Sequence, residues 1–331
     1  QDNVVEQEYN NLLVAGHFVA LIEAFRPDVV HFFHLTRISA SIVEACLQRG
    51  IPTVLTPTDF WFICPMSQLR LHDGSMCAGP DRVGANCVRH LAALKMPGLA
   101  ASVLNRLPEA AVYGMVQMAS LAPFRNLGPA RLVSALSRRK NFLKDRLNRI
   151  DKVLVPTRLM QQTLLRHGLD PAHVGYCAYG IRLPNMIARE PRTQGPLRVG
   201  IIGLGEHKGA HVLIQAVRKL ADLDFVVRIY GKLSDIPEYA KRLKALASGD
   251  RRVEFRGSFP NDQLGAILSQ LDVLAVPSLW FENAPLVVYS AQAAGLPVVA
   301  SDVAGIAEQI TDGDNGWLFP AGDVDSLADI L

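Results

Sequence analysis

The sequence predicts an α/β fold in which two doubly wound domains each contain a parallel sheet with helices on both faces. The length of 331 residues exceeds that of one typical domain. Short runs rich in Val and Ile alternate with amphipathic runs of helical length, most regularly after residue 197. A Pro-rich, charged stretch at 184–196 has the composition of a linker. We therefore predict domains at 1–183 and 197–331, joined by that linker.

The first domain is predicted from a strand–helix–strand unit and two later strands. A helix ended by Gly50 connects two short apolar runs, and a crossover of this kind joins parallel strands. The predicted elements are a helix over 4–25, a strand over 28–33, a helix over 39–49, and strands over 52–56, 152–156 and 174–177.

Two further segments of this domain each allow two interpretations. Residues 91–122 are apolar and interrupted by prolines, which indicates helices packed on the sheet or, alternatively, an apolar surface for a lipid. Arg131–Arg149 is an amphipathic run with seven basic side chains and one acidic side chain. Its basic face is either a solvated face of a core helix or a contact with an anionic membrane.

The second domain is predicted from a regular alternation of strands and helices, which is typical of a doubly wound sheet. The predicted elements are strands over 197–202, 226–230, 253–256, 273–276 and 297–301, and helices over 210–220, 236–247 and 262–268, with further helix starts at Pro285 and near Ile306 and a last helix at 326–331.

Composition excludes several classes of protein. With 49% hydrophobic residues, 20% charged residues and a net charge of +3, the chain has the composition of an ordinary globular protein. The small net charge, and the few aromatic residues among the basic ones, argue against a nucleic-acid partner. The start of the chain is polar and no apolar run reaches the length of a membrane span, which favours a cytoplasmic location.

The five cysteines are an odd number, which argues against a complete disulfide framework. Cys64, Cys77 and Cys87 lie in a turn-rich insert, with twelve and nine residues between them. Reduced structural thiols are the favoured interpretation, and a metal site or a disulfide is the alternative, although the chain has no C-x₂-C pair.

A Gly-rich turn follows the first strand of the second domain. Gly203 and Gly205 suggest a dinucleotide-binding fingerprint, but its third glycine would fall at Lys208, and the next glycine is Gly209. The sequence therefore disfavours a dehydrogenase. It predicts a helix start that carries an ammonium group, which suits a phosphate.

A second loop, after the strand at 273–276, carries Glu282 and leads to the helix start at Pro285. Helix N-termini bind phosphate, and those following neighbouring parallel strands face one crevice at the carboxyl edge of the sheet. Glu282 can accept hydrogen bonds from hydroxyl groups. This combination predicts a site for a nucleotide whose diphosphate carries a sugar.

Residues 276–316 resemble the donor-binding core of the group 1 (family 4) glycosyltransferases, which are retaining enzymes of the two-domain GT-B fold. The family pattern is Glu, seven residues, Glu, followed by Ala-x-Ala-x-Gly-x-Pro-Val-Val-Ala. The matching positions are Glu282, Ala291, Ala293, Gly295, Pro297, Val298, Val299, Ala300, Ser301, Asp302, Gly305, Ile306, Glu308, Gly313, Asn315 and Gly316. The resemblance is specific over 197–325 and weaker towards residue 1.

The resemblance implies a donor site in which Lys208 and Glu282 take part in catalysis. Glu282 would hold hydroxyls of the donor sugar, and Lys208 would neutralise the departing diphosphate without a metal ion or a cofactor. The donor-binding positions implied are Gly203, Gly205, Lys208, Glu282, Asn283, Ala284, Pro285, Leu286 and Ser290.

Three positions depart from the family pattern. Ser290 replaces the second glutamate, which grips the ribose in the family, and a charged hydrogen bond of that kind contributes about 1.5–3 kcal/mol. Leu204 or Gly205 occupies the position of a diphosphate-binding arginine. Thr58 replaces a histidine of the family motif His-Asp-aromatic-Trp, which here reads Thr58-Asp59-Phe60-Trp61.

The same motif indicates the acceptor side of the site. We expect Asp59 to orient an acceptor hydroxyl or act as a base, or else to cap its loop. His34 is a further acceptor-side candidate with Thr58, the alternative being a core histidine. Compared with the family, the chain begins and ends inside the fold, so we expect the first domain to lack its opening strands.

The predicted function is transfer of a sugar from a nucleotide-diphosphate sugar to a hydroxyl of a glycan or lipid-linked acceptor, with retention of configuration. The resemblance points to bacterial polysaccharide synthesis at the inner face of the membrane. The alternative is a weak or inactive GT-B module that binds a nucleotide sugar or a partner protein, which the three departures favour.

Overall fold

The computed structural model describes residues 3–71, 73–95, 98–182 and 194–331. The chain divides into two compact units, Gln1–Ala178 and Tyr179–Leu331. Each unit contains a parallel sheet, in agreement with the predicted α/β fold class. Most of the linker predicted at 184–196 lies outside the described residues.

The sheet of the first unit has four parallel strands in chain order. They are β1 (Val30–Phe32), β2 (Thr53–Leu55), β3 (Lys152–Val155) and β4 (Val174–Tyr176). Alternate residues of β3, Val153 and Val155, are fully buried and belong to the core of this unit together with Leu55 of β2. Because all four strands run the same way, the loops after β1 and β2 leave one edge of the sheet.

Eight α-helices are described in this unit. They are α1 (Val4–Gln7), α2 (Leu12–Phe25), α3 (Ser41–Leu47), α4 (Ala85–Lys95), α5 (Leu99–Arg106), α6 (Glu109–Ala119), α7 (Gly128–Asn148) and α8 (Arg158–Arg166).

The single helix predicted over 4–25 is wrong, because the helix is interrupted between α1 and α2. The side chain of Asn11 accepts a hydrogen bond from the Val14 N–H at 3.1 Å and so caps the start of α2. The Asn11 N–H in turn donates to the hydroxyl of Ser39. The cap and the contact with the distant Ser39 start a new helix at a point where the apolar pattern alone predicts one continuous helix.

The sheet of the second unit has six parallel strands in the order β10-β9-β8-β5-β6-β7. They are β5 (Leu197–Ile202), β6 (Phe225–Tyr230), β7 (Val253–Gly257), β8 (Val273–Val276), β9 (Val298–Ser301) and β10 (Gly316–Phe319). The strand order reverses between β5 and β8. Open α/β sheets bind ligands outside the carboxyl ends of the strands at such a reversal.

The helices of this unit lie between consecutive strands or follow the last one. They are α9 (Ala210–Lys219), α10 (Pro237–Leu246), α11 (Leu264–Ser269), α12 (Leu286–Ala293) and α13 (Val324–Ile330).

One prediction for the second unit is wrong, because the helix start near Ile306 is only a three-residue 3₁₀ turn, Ala307–Gln309. Strand β10 is not among the predicted elements. Its first residue, Gly316, packs so closely on β9 that a Cβ atom would lie 2.2 Å from the Val298 carbonyl oxygen. The close packing requires glycine, and glycine is a poor strand former, so the local sequence does not indicate a strand here.

One ion pair ties β5 to the start of β8. The buried carboxylate of Asp272 accepts hydrogen bonds from the Arg198 backbone N–H at 2.9 Å, from Nε at 2.9 Å and from Nη2 at 2.8 Å. This bidentate pair holds the two strands that flank the reversal point.

No helix in the described part of the chain is both long enough and apolar enough to cross a membrane.

Candidate functional site

The loops after β5 and β8 meet at the reversal point of the second sheet. The loop after β5 carries Lys208 in a 3₁₀ turn, Glu206–Lys208, directly before α9. The loop after β8 carries Ser278, Trp280 and Glu282 before α12. Neighbouring strand ends bring these loops together, although the residues lie some seventy positions apart in the sequence.

Glu282 is the centre of this cluster and is only 7% exposed. Its Oε1 atom lies 2.5 Å from Nζ of Lys208. The same oxygen accepts hydrogen bonds from the Ser278 hydroxyl at 2.9 Å and from the Trp280 indole N–H at 2.8 Å. Three donors on one oxygen hold the carboxylate in a single orientation, and the adjacent ammonium compensates the cost of burying its charge.

Aromatic rings join the two loops around this ion pair. The Lys208 ammonium lies 5.7 Å from the centre of the Trp280 ring, within the range of a cation–π contact. The His207 ring also packs at a tilt against Trp280, with the ring centres 4.4 Å apart. The Leu279 N–H donates to the His207 carbonyl at 2.8 Å, so the backbones of the two loops are bonded directly.

Two glycines allow the backbone to approach closely at the site. Gly209 has φ of 74°, and a Cβ atom there would lie 1.8 Å from the Pro277 carbonyl oxygen. Gly305 has φ of 88°, and its Cβ would lie 1.6 Å from the carbonyl oxygen of Glu282. No other residue type fits either position without moving the loops.

The other predicted donor-side residues lie around this cluster. Gly203 has φ of 97° and donates its N–H to Tyr230, and Gly205 lies against the ring of His207. Asn283 and Ala284 connect Glu282 to Pro285, which is the N-cap residue of α12.

Leu286 and Ser290 belong to α12 itself. Leu286, the first helical residue, is 53% exposed. Ser290 is buried, and its hydroxyl donates to the Leu286 carbonyl at 2.8 Å, one turn back in the same helix. The structure thus brings Lys208 and Glu282 into contact, while the Ser290 hydroxyl bonds within its own helix.

Three contributors were not predicted from the sequence, namely the Ser278 hydroxyl, the Trp280 indole N–H and the His207 ring, which packs at a tilt against the Trp280 ring. Ser278 follows a fully buried strand after one proline, and polar residues at the carboxyl end of a parallel strand face the ligand edge of a sheet. That signal was available for Ser278. Only the fold shows that its hydroxyl and the indole reach one carboxylate oxygen.

The predicted acceptor-side residues form a separate cluster in the first unit. His34 Nδ1 lies 3.2 Å from Oδ2 of Asp59, and Asp59 Oδ1 accepts the Trp61 N–H at 2.8 Å. Burial raises the pKa of Asp59 against the opposing effects of the Trp61 N–H and His34. Thr58 is exposed and donates to the Phe33 carbonyl at 3.4 Å.

The basic residues at 131–149 are largely occupied by contacts within the first unit. Arg138 pairs with Glu6, and Arg146 and Arg149 pair with Glu44. Buried Arg139 donates to the Trp61 and Ile63 carbonyls, and Lys140 donates to the Pro80 and Asp81 carbonyls. Most of these basic side chains therefore have partners within the first unit.

In the described residues, no group of three or more His, Cys, Asp or Glu side chains is arranged to hold a metal ion.

Comparisons with known proteins identify a family for the second unit. A family model described as "Glycosyl transferases group 1" matches residues 196–331. The chain is 30% identical over 249 residues to the amylovoran biosynthesis glycosyltransferase AmsK of Erwinia amylovora, covering 71% of this chain and 58% of AmsK. It is 31% identical over 173 residues to the putative colanic acid biosynthesis glycosyltransferase WcaL of Salmonella typhimurium, covering 49% and 42%. The chain thus spans about half the length of these relatives.

Solved structures extend the comparison to both units. Alr3699/HepE of Anabaena, solved in complex with UDP, covers 96% of this chain with a TM-score of 0.62 and 16% identity, over 70% of its own length. A glycosyltransferase from Rickettsia africae covers 96% with a TM-score of 0.61 and 15% identity, over 69% of its own length. At these identities the similarity concerns the fold, and it confirms two Rossmann-like domains of the GT-B class.

Proposed function

Residues 196–331 of this chain belong to the group 1 glycosyltransferases, and from this premise we propose that the protein transfers a sugar from a nucleotide-diphosphate donor to a hydroxyl group with retention of configuration. The observation that carries the proposal is the contact of Lys208 with Glu282 at the reversal point of the second sheet. The buried carboxylate can accept hydrogen bonds from sugar hydroxyls, and the ammonium beside it can pair with a phosphate.

Lys208 and the start of α12 are proposed to neutralise the departing nucleotide diphosphate. Lys208 is the cation, and the first N–H groups of α12 after Pro285 add the partial positive charge of a helix N-terminus. Positive charge fixed where negative charge develops lowers the barrier to departure of the leaving group. In this proposal the two features supply the charge that a divalent cation supplies elsewhere.

Glu282 is proposed to hold hydroxyl groups of the donor sugar. Its Oε1 atom is occupied by Ser278, Trp280 and Lys208, which fixes the plane of the carboxylate. The diphosphate would draw the Lys208 ammonium away from Glu282, because the two anions compete for one cation. Donor binding would thereby free a lone pair of Glu282 for the sugar.

Asp59 and His34 are proposed to bind the acceptor hydroxyl. The raised pKa of Asp59 is nearer to neutral pH than that of an ordinary aspartate, which suits a general base. Its 3.2 Å contact with His34 orients the carboxylate, and Thr58 lies beside it in the sequence.

The acceptor is proposed to be a glycan or lipid-linked sugar of a bacterial surface polysaccharide, handled at the cytoplasmic face of the membrane. The names of AmsK and WcaL, amylovoran and colanic acid biosynthesis glycosyltransferases, support this class of acceptor. UDP bound to the Anabaena protein makes UDP-sugars the first donors to test.

Donor hydrolysis tests the proposal without knowledge of the acceptor. Purified protein is incubated with UDP-sugars and GDP-sugars, and nucleotide release is compared for wild type, Glu282→Gln and the control Glu238→Gln, which changes an exposed glutamate of α10. Loss of a charged hydrogen bond predicts a fall in kcat/KM of about ten- to a hundredfold for Glu282→Gln alone. Equal rates for the three proteins would contradict the proposed role of Glu282.

A second candidate function is a GT-B module that binds a nucleotide sugar without turnover. The observation in its favour is Ser290, which replaces a carboxylate and bonds within its own helix. Calorimetry with UDP and the donor-hydrolysis assay together distinguish the two functions. A module without turnover would bind UDP in the first experiment and hydrolyse no donor in the second.

A further inference from the structure

A long segment of the first unit has little regular structure to hold it. Between β2 and α4, the described residues of 56–84 form no helix and no strand, and an isolated bridge joins Arg70 to Met76. Loops of this length without secondary structure are uncommon in compact domains and are usually functional loops or linker segments. The segment begins at the loop that carries Asp59.

Three cysteines and one histidine converge where this segment meets α4. Cys64, Cys77, Cys87 and His90 line one cavity of about 10 Å³, which has room for a single small ion or water. The three thiols are close enough for each pair to interact electrostatically. Cys46 and Cys177, the other two cysteines, do not line this cavity.

The spacing of these residues fits a metal site. Cys87 and His90 lie three positions apart on α4, so their side chains share one face of the helix. Cys64 and Cys77 approach from the irregular segment. Pairs of ligands separated by two residues, completed by two ligands from elsewhere, are typical of four-coordinate zinc sites with sulfur and nitrogen ligands.

The surroundings of Cys77 also fit a metal-bound thiolate. The Gly79 N–H donates to Sγ of Cys77 at 3.4 Å, a hydrogen bond that stabilises negative charge on sulfur. Gly79 has φ of 103°, which favours glycine at this position. The Asn86 side chain donates to the Gly79 carbonyl at 2.8 Å and fastens the Cys77 loop to the start of α4.

We propose that Cys64, Cys77, Cys87 and His90 bind one structural zinc ion as a Cys₃His site. As they stand, the four side chains do not form a group arranged to hold a metal ion. A change of one staggered χ1 rotamer moves a cysteine sulfur by about 3 Å, and zinc binding would draw the four side chains together through such changes. On binding, the three thiols release their protons to solvent, and the three thiolates and the neutral imidazole coordinate the ion.

Such a site would cross-link the irregular segment to α4. Zinc would hold the backbone that follows the Asp59 loop, and the energy of metal binding would contribute to folding of the first unit. The proposal does not depend on the glycosyltransferase function, because it concerns residues outside the Lys208–Glu282 cluster.

Metal analysis of the full chain tests the proposal. Protein purified under reducing conditions from zinc-supplemented medium is expected to contain about one zinc per chain, released when the thiols are modified with a mercurial reagent. Cys87→Ser and His90→Ala are expected to lose nearly all of it. The matched controls Cys46→Ser and Cys177→Ser are expected to keep it.

A rescue variant separates coordination from folding. His90→Cys replaces one zinc ligand by another and is expected to retain about one zinc per chain, whereas His90→Ala is expected to lose it. Wild-type protein that contains no zinc and takes up none after reduction would overturn the proposal. A disulfide among Cys64, Cys77 and Cys87 in the freshly purified chain, detected by mass spectrometry, would also overturn it.

Discussion

The contact between Lys208 and Glu282 gives each residue a role in the free protein as well as in the proposed reaction. A carboxylate that is 7% exposed is costly without a partner, and the ammonium at 2.5 Å supplies one. The same ammonium is the group that a diphosphate would attract. The residues therefore stabilise the loops in the free protein, and in the proposed function the same two residues would bind the donor.

Replacing Lys208 tests this dual role. Lys208→Gln removes the cation and keeps a side chain of similar length, so we expect UDP affinity to fall about ten- to a hundredfold, as for the loss of a charged hydrogen bond. Isothermal titration calorimetry with UDP measures the change. The control Lys219→Gln alters an exposed lysine at the other end of α9, which pairs with Asp325, and should bind UDP like wild type. Equal affinities for both variants would exclude Lys208 from the nucleotide site.

At the scale of elements, the site depends on how closely two loops approach each other. The loop after β9 passes so near to Glu282 that only the hydrogen atom of Gly305 fits beside the Glu282 carbonyl. The Glu282 N–H also donates to the Ala304 carbonyl at 3.3 Å. The position of Glu282 is thus set by the neighbouring strand as well as by its own loop.

A methyl group at Gly305 should displace this loop. Gly305→Ala places Cβ 1.6 Å from a backbone oxygen, so we expect UDP-sugar affinity to fall at least about tenfold, a loss of about 1.4 kcal/mol. The matched control is Gly313→Ala, which has a similar φ of 78° but no atom within 4 Å of the new Cβ. The control should lose only about 1–2 kcal/mol of stability from backbone strain and should bind normally. Titrations of both variants with a UDP-sugar provide the comparison.

In the first unit, one carboxylate links two strands. Asp151 precedes β3, and its Oδ2 accepts the backbone N–H of Thr53 at 2.7 Å and the Thr53 hydroxyl at 2.8 Å. The hydrogen bond from the Thr53 N–H is the main reason that the pKa of Asp151 lies below its ordinary value of 3.8.

This lowered pKa predicts a dependence of stability on pH. A group with a lowered pKa in the folded state stabilises fully above its ordinary value, and the stabilisation is lost as the pH falls through the folded pKa. Asp151→Asn should therefore cost about 1 kcal/mol near neutral pH, a modest value because the carboxylate is exposed. The variant and wild type should converge in urea titrations below pH 3.8. Asp222→Asn, an exposed aspartate in the second unit, is the control, and a difference that stays constant down to acid pH would contradict the assignment.

At the scale of the whole molecule, each unit has its own hydrophobic core. Leu143 and Val155 belong to the core of the first unit, and Leu213 and Ile229 belong to that of the second. The Lys208–Glu282 cluster lies entirely in the second unit. Binding of a nucleotide at this cluster should therefore act on the stability of one unit.

Calorimetry with and without UDP tests this expectation. A ligand present at one hundred times its Kd stabilises the folded state by about 2.7 kcal/mol, which raises the melting temperature of a domain of this size by about 5–10 °C. We expect the transition of the second unit to move by this amount while that of the first unit stays in place. At the same UDP concentration Lys208→Gln should reduce the shift by about half or more, because its weaker affinity leaves less stabilisation. An equal shift of every transition would contradict a site confined to the second unit.

Some helices and strands of this chain can be predicted from the sequence and others cannot. The strands and helices of the second unit follow from alternating apolar runs, because burial on both faces of a parallel sheet requires such runs. Strand β10 was not predicted because its first residue is a glycine that packs on β9. The break between α1 and α2 was not predicted because it depends on a contact between Asn11 and the distant Ser39.

Local hydrophobic patterns and short motifs are enough to predict the α/β class, most strands of both sheets and the segments that carry Lys208 and Glu282. The tertiary structure alone decided that Ser278, Trp280 and Lys208 meet on one oxygen of Glu282, and that three cysteines line one cavity with His90. The physical reason is that hydrogen bonds and ligand clusters depend on distances in space. Those distances are set by strand order and loop packing, and strand order cannot be read from local patterns.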